Sequence, residues 1–206
     1  MTGVPRGEHP APGDYEGAKL AMWLFLFTEI LLFGGLFLLY SAYRAQYPVE
    51  FHSGGQHLNA TIGVVNTVVL LTSSLTMALA LTAIQKGDRR LTQRCLAATI
   101  GLGTVFLAGK YLEWSAEIGR GIYPNSPALL HRPDGEKLFF GLYYSMTGLH
   151  GLHVVAGIIL LSVMLGLVSR NRISSTEFIK LENSGLYWHL VDVIWIFLLP
   201  LFYLSA

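Results

Sequence analysis

Two histidines three residues apart, His150 and His153, stand in "TGLHGLHVVAG", a run otherwise made of small and apolar residues. On a helix that spacing projects both to one side. Imidazoles so placed either hold haem or metal, or hydrogen-bond between helices. Three further stretches set ionisable groups in apolar sequence. Glu29 lies in "LFLFTEILLFGG"; Lys110, Glu113 and Glu117 follow one another in "AGKYLEWSAE"; Asp192 comes after Trp188 and His189 in "YWHLVDVIW".

Metal chemistry needs convergence. A bis-histidine haem takes ligands from two facing helices, and a zinc site takes three or four ligands. His189 is the other histidine in an apolar run, and it lies near the expected end of that run. The Glu-x-x-His pattern of di-iron bundles does not occur in the sequence. The single Cys95 excludes an internal disulfide and any two-cysteine metal motif. The count therefore predicts no metal and no other cofactor in this chain. His150 and His153 are expected to hydrogen-bond, facing a partner subunit or a lipid head group.

The elements that position these residues follow from the charge pattern. Charged residues make up 13% of the chain, where a soluble domain carries about 25%. None occurs from Phe51 to Gln85, from Leu138 to Ser169, or from Val193 to Ala206. Apolar runs of about 20 residues cross a membrane as helices. The expected fold is all-α: a polytopic bundle of five transmembrane helices at about 18–43, 62–85, 91–118, 138–168 and 186–205. Residues 1–17, rich in Pro and Gly, read as a flexible tail and not a signal peptide; residues 18–206 form the membrane domain. Nine basic residues, among them Arg6, Lys86, Arg90, Arg94 and Lys180, fall at one end of the bundle. Four fall at the other: Arg44, Arg120, Arg132 and Lys137. Lys and Arg resist translocation, so the N-terminus is expected in the cytoplasm and the C-terminus outside. A net charge of +1 with no basic tract argues against nucleic acid.

Inside the membrane, polar groups need partners. An ionisable residue at the bilayer centre costs about 2.5–3.5 kcal/mol on insertion scales. Glu29, near the middle of the first span, must be neutral or well partnered; it serves either helix packing or function. Lys110 and Glu113 are expected to pair locally. Asp192, near the cytoplasmic end of the fifth helix, is expected to pair with His189 or with a polar group of a neighbouring helix. Asn66, Thr67, Thr72, Ser73, Ser74 and Thr76 on the second helix, and the glycines of "GTVFLAG" on the third, are small or hydroxylated. Such residues let membrane helices approach and hydrogen-bond.

Five blocks in order carry a resemblance: "AMWLFLFTEILLFGGLF", "NTVVLLTSSLTMALA", "FLAGKYLEW", "YYSMTGLHGLHVVAGIIL" and "YWHLVDVIWIFLLPLFYLS". The chain resembles subunit III of the haem–copper terminal oxidases. The resemblance implies a non-catalytic membrane subunit of a proton-pumping oxidase of aerobic respiration, in the bacterial plasma membrane. It places haem and copper in partner subunits, and bound phospholipid on this chain. The implied partners are the catalytic subunit I, subunit II and a larger respiratory supercomplex. Glu29 matches the family's intramembrane carboxylate, tied to proton uptake, and His153 its lipid-contacting histidine. His150, His189, Trp188 and Asp192 fall in the same lipid and interface motifs. Two departures stand out. Many relatives carry two further helices at the start that complete a lipid cleft, and Lys110 stands where relatives often have glutamine. Quinol oxidases and nitric oxide reductases have similar short subunits, with Glu29 favouring cytochrome c as donor. A free-standing transporter using Glu29, Asp192 and Lys110 would show inverted repeats and broken helices. The sequence has no such repeat, and Pro200 is the one proline well inside a span.

Overall fold

The computed structural model describes residues 12–204, which form helices joined by short turns. In chain order these are α1 (Pro12–Gln46), α2 (Pro48–Gln56), α3 (Ala60–Gln85), α4 (Arg89–Gly119), α5 (Pro127–Leu130), α6 (Asp134–Ser169) and α7 (Ile179–Leu199). A π-helical turn, Pro200–Leu204, follows α7. Five segments are long and apolar enough to span a membrane: Glu16–Gln46, Ala60–Gln85, Arg89–Gly119, Asp134–Ser169 and Ile179–Leu204. The five-span, all-helical expectation holds.

Boundaries moved where polar residues found partners. α1 is described from Pro12, inside the expected tail. Residues 1–11, including Arg6, and 205–206 lie outside the described residues. α2 forms in an expected loop: Pro48 opens it, and Phe51 is buried against Tyr40 and Phe139. α7 starts at Ile179 rather than 186, because its first turn is used. Glu182 pairs with Lys19 at 3.0 Å, and Asn183 donates to the Ala18 carbonyl at 3.3 Å. The earlier start moves Asp192 from the expected helix end to the middle of its span.

α3 and α4 form a tight hairpin. Gly87 takes the left-handed backbone (φ 78°) that side chains disfavour, and Asp88 caps α4 by accepting from the Leu91 amide at 2.9 Å. α7 is the centre of the bundle: half of its most apolar stretch is buried, against 11% for α1, which lies on the α6–α7 surface. Trp188 of α7 is fully buried between helices that present glycine to it. A methyl at Gly103 or Gly157 would sit 2.7 or 2.8 Å from its ring. Small residues admit the large one.

Turns and helix ends sort onto two ends of the bundle. Arg89 donates to Asn171, joining the α3–α4 turn to the α6–α7 loop, and Lys19–Glu182 sits at this end as well. At the opposite end Arg132 reaches His57 at 3.2 Å.

Candidate functional site

The histidines do not act together. His153 and Glu29 meet at 2.9 Å, tying the middle of α1 to α6. The other ring nitrogen of His153, Nδ1, donates to the Leu149 carbonyl at 2.8 Å, since a carbonyl only accepts. Nε2 then faces the Glu29 carboxyl and hydrogen-bonds it. That is how Glu29 meets the cost of its depth. Tyr187 donates to the His153 carbonyl at 3.0 Å, and Phe33 stands edge-on to the imidazole at 5.4 Å.

His150 departs from expectation. A separation of three residues still turns the two side chains about 60° apart around the helix, enough to face different neighbours. His150 is fully buried, stacked on Trp195 at 5.3 Å and edge-on to Phe106 at 5.6 Å. Neither ring nitrogen has a hydrogen-bond partner, and the side chain faces neither lipid nor an outside surface. His189 Nδ1 lies 2.7 Å from Ser74 Oγ. The three histidines of the spans thus turn to three different neighbours. Among the described residues, no three His, Cys, Asp or Glu side chains gather as a metal site requires.

Of the two partners expected for Asp192, the one it faces is a polar group of a neighbouring helix. His189 is taken by Ser74, and Asp192 faces the same serine, but neither carboxylate oxygen makes a hydrogen bond of ordinary geometry. The hydroxyl stripe of α3 works as a seam. Ser73 receives Trp188 Nε1 at 3.1 Å, Thr67 receives Trp195 Nε1 at 2.9 Å, and Thr76 meets Thr99 of α4 at 2.8 Å.

Lys110 and Glu113 pair at 2.8 Å, as spacing predicts, but in company. Lys110 Nζ also donates to Tyr143 at 3.1 Å and Tyr203 at 2.8 Å, and both hydroxyls donate to Glu113 Oε1. Glu117 turns instead to Arg120, at 2.9 Å. Sequence reasoning missed the two tyrosines. The available signal was a phenol inside an apolar run, since a buried Tyr hydroxyl needs a partner.

Near the end of the bundle where α7 begins, a groove of about 480 Å³ runs between α1, α6 and α7, past Met22, Phe25, Leu160 and Tyr187 to Lys180. Lys180 also lines a second pocket, of about 370 Å³, with Arg170, Arg172 and Glu177. Lys180 thus belongs both to an apolar groove and to a pocket that holds two further cations and a carboxylate. Sequence reasoning had used these residues only for topology.

A family model of cytochrome c oxidase subunit III matches residues 2–206. The chain belongs to the cytochrome c oxidase subunit III family. A cytochrome c oxidase subunit 3 of Thermostichus vulcanus is 34% identical over 204 residues, covering 96% of this chain and 89% of that one. A cytochrome bo(3) ubiquinol oxidase subunit 3 of Pseudomonas putida is 29% identical, covering 90% and 84%. A haem–copper oxidase subunit I+III of Aeropyrum pernix is 26% identical over 210 residues, covering 96% of this chain and 24% of that protein. Membership in the subunit III family, with five apolar spans, makes the chain an integral membrane protein. Its relatives are subunits of oxidoreductase complexes.

Proposed function

We propose that the chain is the accessory subunit III of a proton-pumping cytochrome c oxidase in a bacterial plasma membrane, with its N-terminus in the cytoplasm. It packs against subunit I in a complex with subunit II, holds phospholipid and sustains proton uptake. Haem, copper and oxygen reduction belong to the partner chains in this reading.

The observation that carries it is the Glu29–His153 contact at 2.9 Å. It joins two motif residues of the resemblance across two helices. With both ring nitrogens of His153 engaged, the pair can tie helices together without serving as a redox ligand. The divergence of the three span histidines supports the absence of a redox centre. The Aeropyrum relative, which by its name carries subunits I and III in one chain, supports contact with subunit I. The apolar groove lined by Lys180, beside the pocket that Lys180 shares with Arg170, Arg172 and Glu177, supports the phospholipid, because basic pockets between transmembrane helices on the cytoplasmic side suit anionic head groups. A quinol as electron donor is the second reading, favoured by the Pseudomonas relative.

Replacing Glu29 in the assembled oxidase tests the role. Glu29→Gln keeps a donor for His153 Nε2, whereas Glu29→Ala leaves that nitrogen unpaired. The expected result is normal initial turnover in both, with Glu29→Ala inactivating faster during sustained turnover. Immediate loss of oxygen reduction in Glu29→Gln, with the complex intact, overturns the accessory role.

A further inference from the structure

The buried Lys110 cluster and the Glu29–His153 pair lie apart, yet one short element reaches from the first towards the helix that carries Glu29. The π-helical turn Pro200–Leu204 brings Tyr203 into the Lys110–Glu113 pair, where its hydroxyl donates to Glu113 Oε1 at 2.6 Å and receives Lys110 Nζ at 2.8 Å. Two residues earlier, the same turn offers the Leu201 carbonyl to Tyr40 of α1 at 2.5 Å. Tyr40, Phe51, Phe139 and Phe202 surround this bond edge-to-face, with ring centroids 5.1–5.7 Å apart.

The cluster at the other end of the turn is rigid for an electrostatic reason. Lysine has three N–H groups, and here Glu113, Tyr143 and Tyr203 take all three. A buried charge pair is costly to leave short of a partner, so the Tyr203 hydroxyl has one favourable position. α1, by contrast, is the least enclosed of the five spans.

We infer that the Lys110–Glu113 pair is the fixed end of a brace. It runs through Tyr203 and the π-helical turn to Tyr40, and it sets where α1 lies against α6 and α7. Lys110, Glu113, Tyr143 and Tyr203 are then positioning residues for α1, although their hydrogen bonds run to one another. By holding α1 they also hold Glu29 within reach of His153. The consequence for proton uptake rests on the function proposed above; the brace itself does not, and its test reads a distance and not turnover.

The test uses spin-label distances in the assembled complex, in a Cys95→Ser background. Labels at the exposed positions Leu38 of α1 and Leu112 of α4 report the end of α1 near the brace. Labels at Leu20 and Leu91 report the other end, where Lys19 pairs with Glu182. The expected result is a broadened 38–112 distribution in Tyr203→Phe and in Tyr40→Phe, no broader in the double variant, with the 20–91 distribution unchanged. Lys110→Met/Glu113→Leu, which replaces the pair by apolar side chains and keeps the bundle packed, is expected to broaden the 38–112 distribution too. An unchanged 38–112 distribution in Tyr203→Phe or in Lys110→Met/Glu113→Leu overturns the brace. Equal broadening at both ends, or additive effects in the double variant, overturns it as well.

Discussion

The Glu29–His153 pair gives a sharp energetic prediction. Its atoms are 2.9 Å apart, with 16% and 13% of the two side chains exposed, so water competes little for either group. Interhelical hydrogen bonds in membranes are worth about 0.6 kcal/mol on average and about 1.7 at most. Bonds to charged groups lie higher, at about 1.5–3 kcal/mol. A hydrogen-bonded pair of ionisable side chains at this site should therefore show a coupling energy of about 1–1.7 kcal/mol, roughly 5- to 20-fold in an equilibrium constant. The perturbations are Glu29→Ala, His153→Ala and the double variant, with unfolding followed by circular dichroism across an SDS titration in mixed micelles. Each single change leaves the other group unpaired in an apolar seam, so the second change should add little to the first. If the double-variant cost equals the sum of the two single costs to within about 0.5 kcal/mol, the residues act independently. The pair would then not be what ties α1 to α6.

Three other outcomes follow from the same geometry. Cysteines placed singly at Asp88 and Asn125, in a Cys95→Ser background, should label from opposite sides of intact cells, with position 88 protected from outside; external labelling at 88 reverses the orientation. Lys180→Met with Arg172→Gln should lower the phospholipid retained in the purified complex, since each basic residue near an anionic head group is worth about 1 kcal/mol; unchanged lipid content by mass spectrometry removes the basic pocket from the account. Gly157→Ala places a methyl 2.8 Å from the Trp188 ring and should destabilise the bundle by about 1–3 kcal/mol, the usual cost of overpacking; a neutral result in the SDS titration contradicts close packing at that seam.

Much of the fold was legible because a membrane span writes itself in charge-free runs. The helix starts were harder. α7 begins earlier than hydropathy suggests because Glu182 and Asn183, polar by sequence, are satisfied by Lys19 and the Ala18 carbonyl far away in the chain. The local pair Lys110–Glu113 could be read from spacing, but its two tyrosines are contributed by α6 and the turn after α7. Spacing placed His150 and His153 on one side of a helix. It could not show that Trp195 and Phe106 enclose the first while Glu29 takes the second. Spacing leaves Asp192 either His189 or a polar group of a neighbouring helix as its partner; Ser74 of α3 both engages that histidine and faces the carboxylate.

In the function proposed above, this chain works as a subunit of a haem–copper oxidase whose redox centres lie in partner chains. Affinity purification of the tagged chain from its own membranes in mild detergent, with a reduced-minus-oxidised spectrum, tests it directly. The account predicts that subunit I and a haem spectrum accompany the chain, and that both leave together when the chain is stripped of its partners. A chain that purifies without subunit I, or that keeps one haem per polypeptide after stripping, contradicts it.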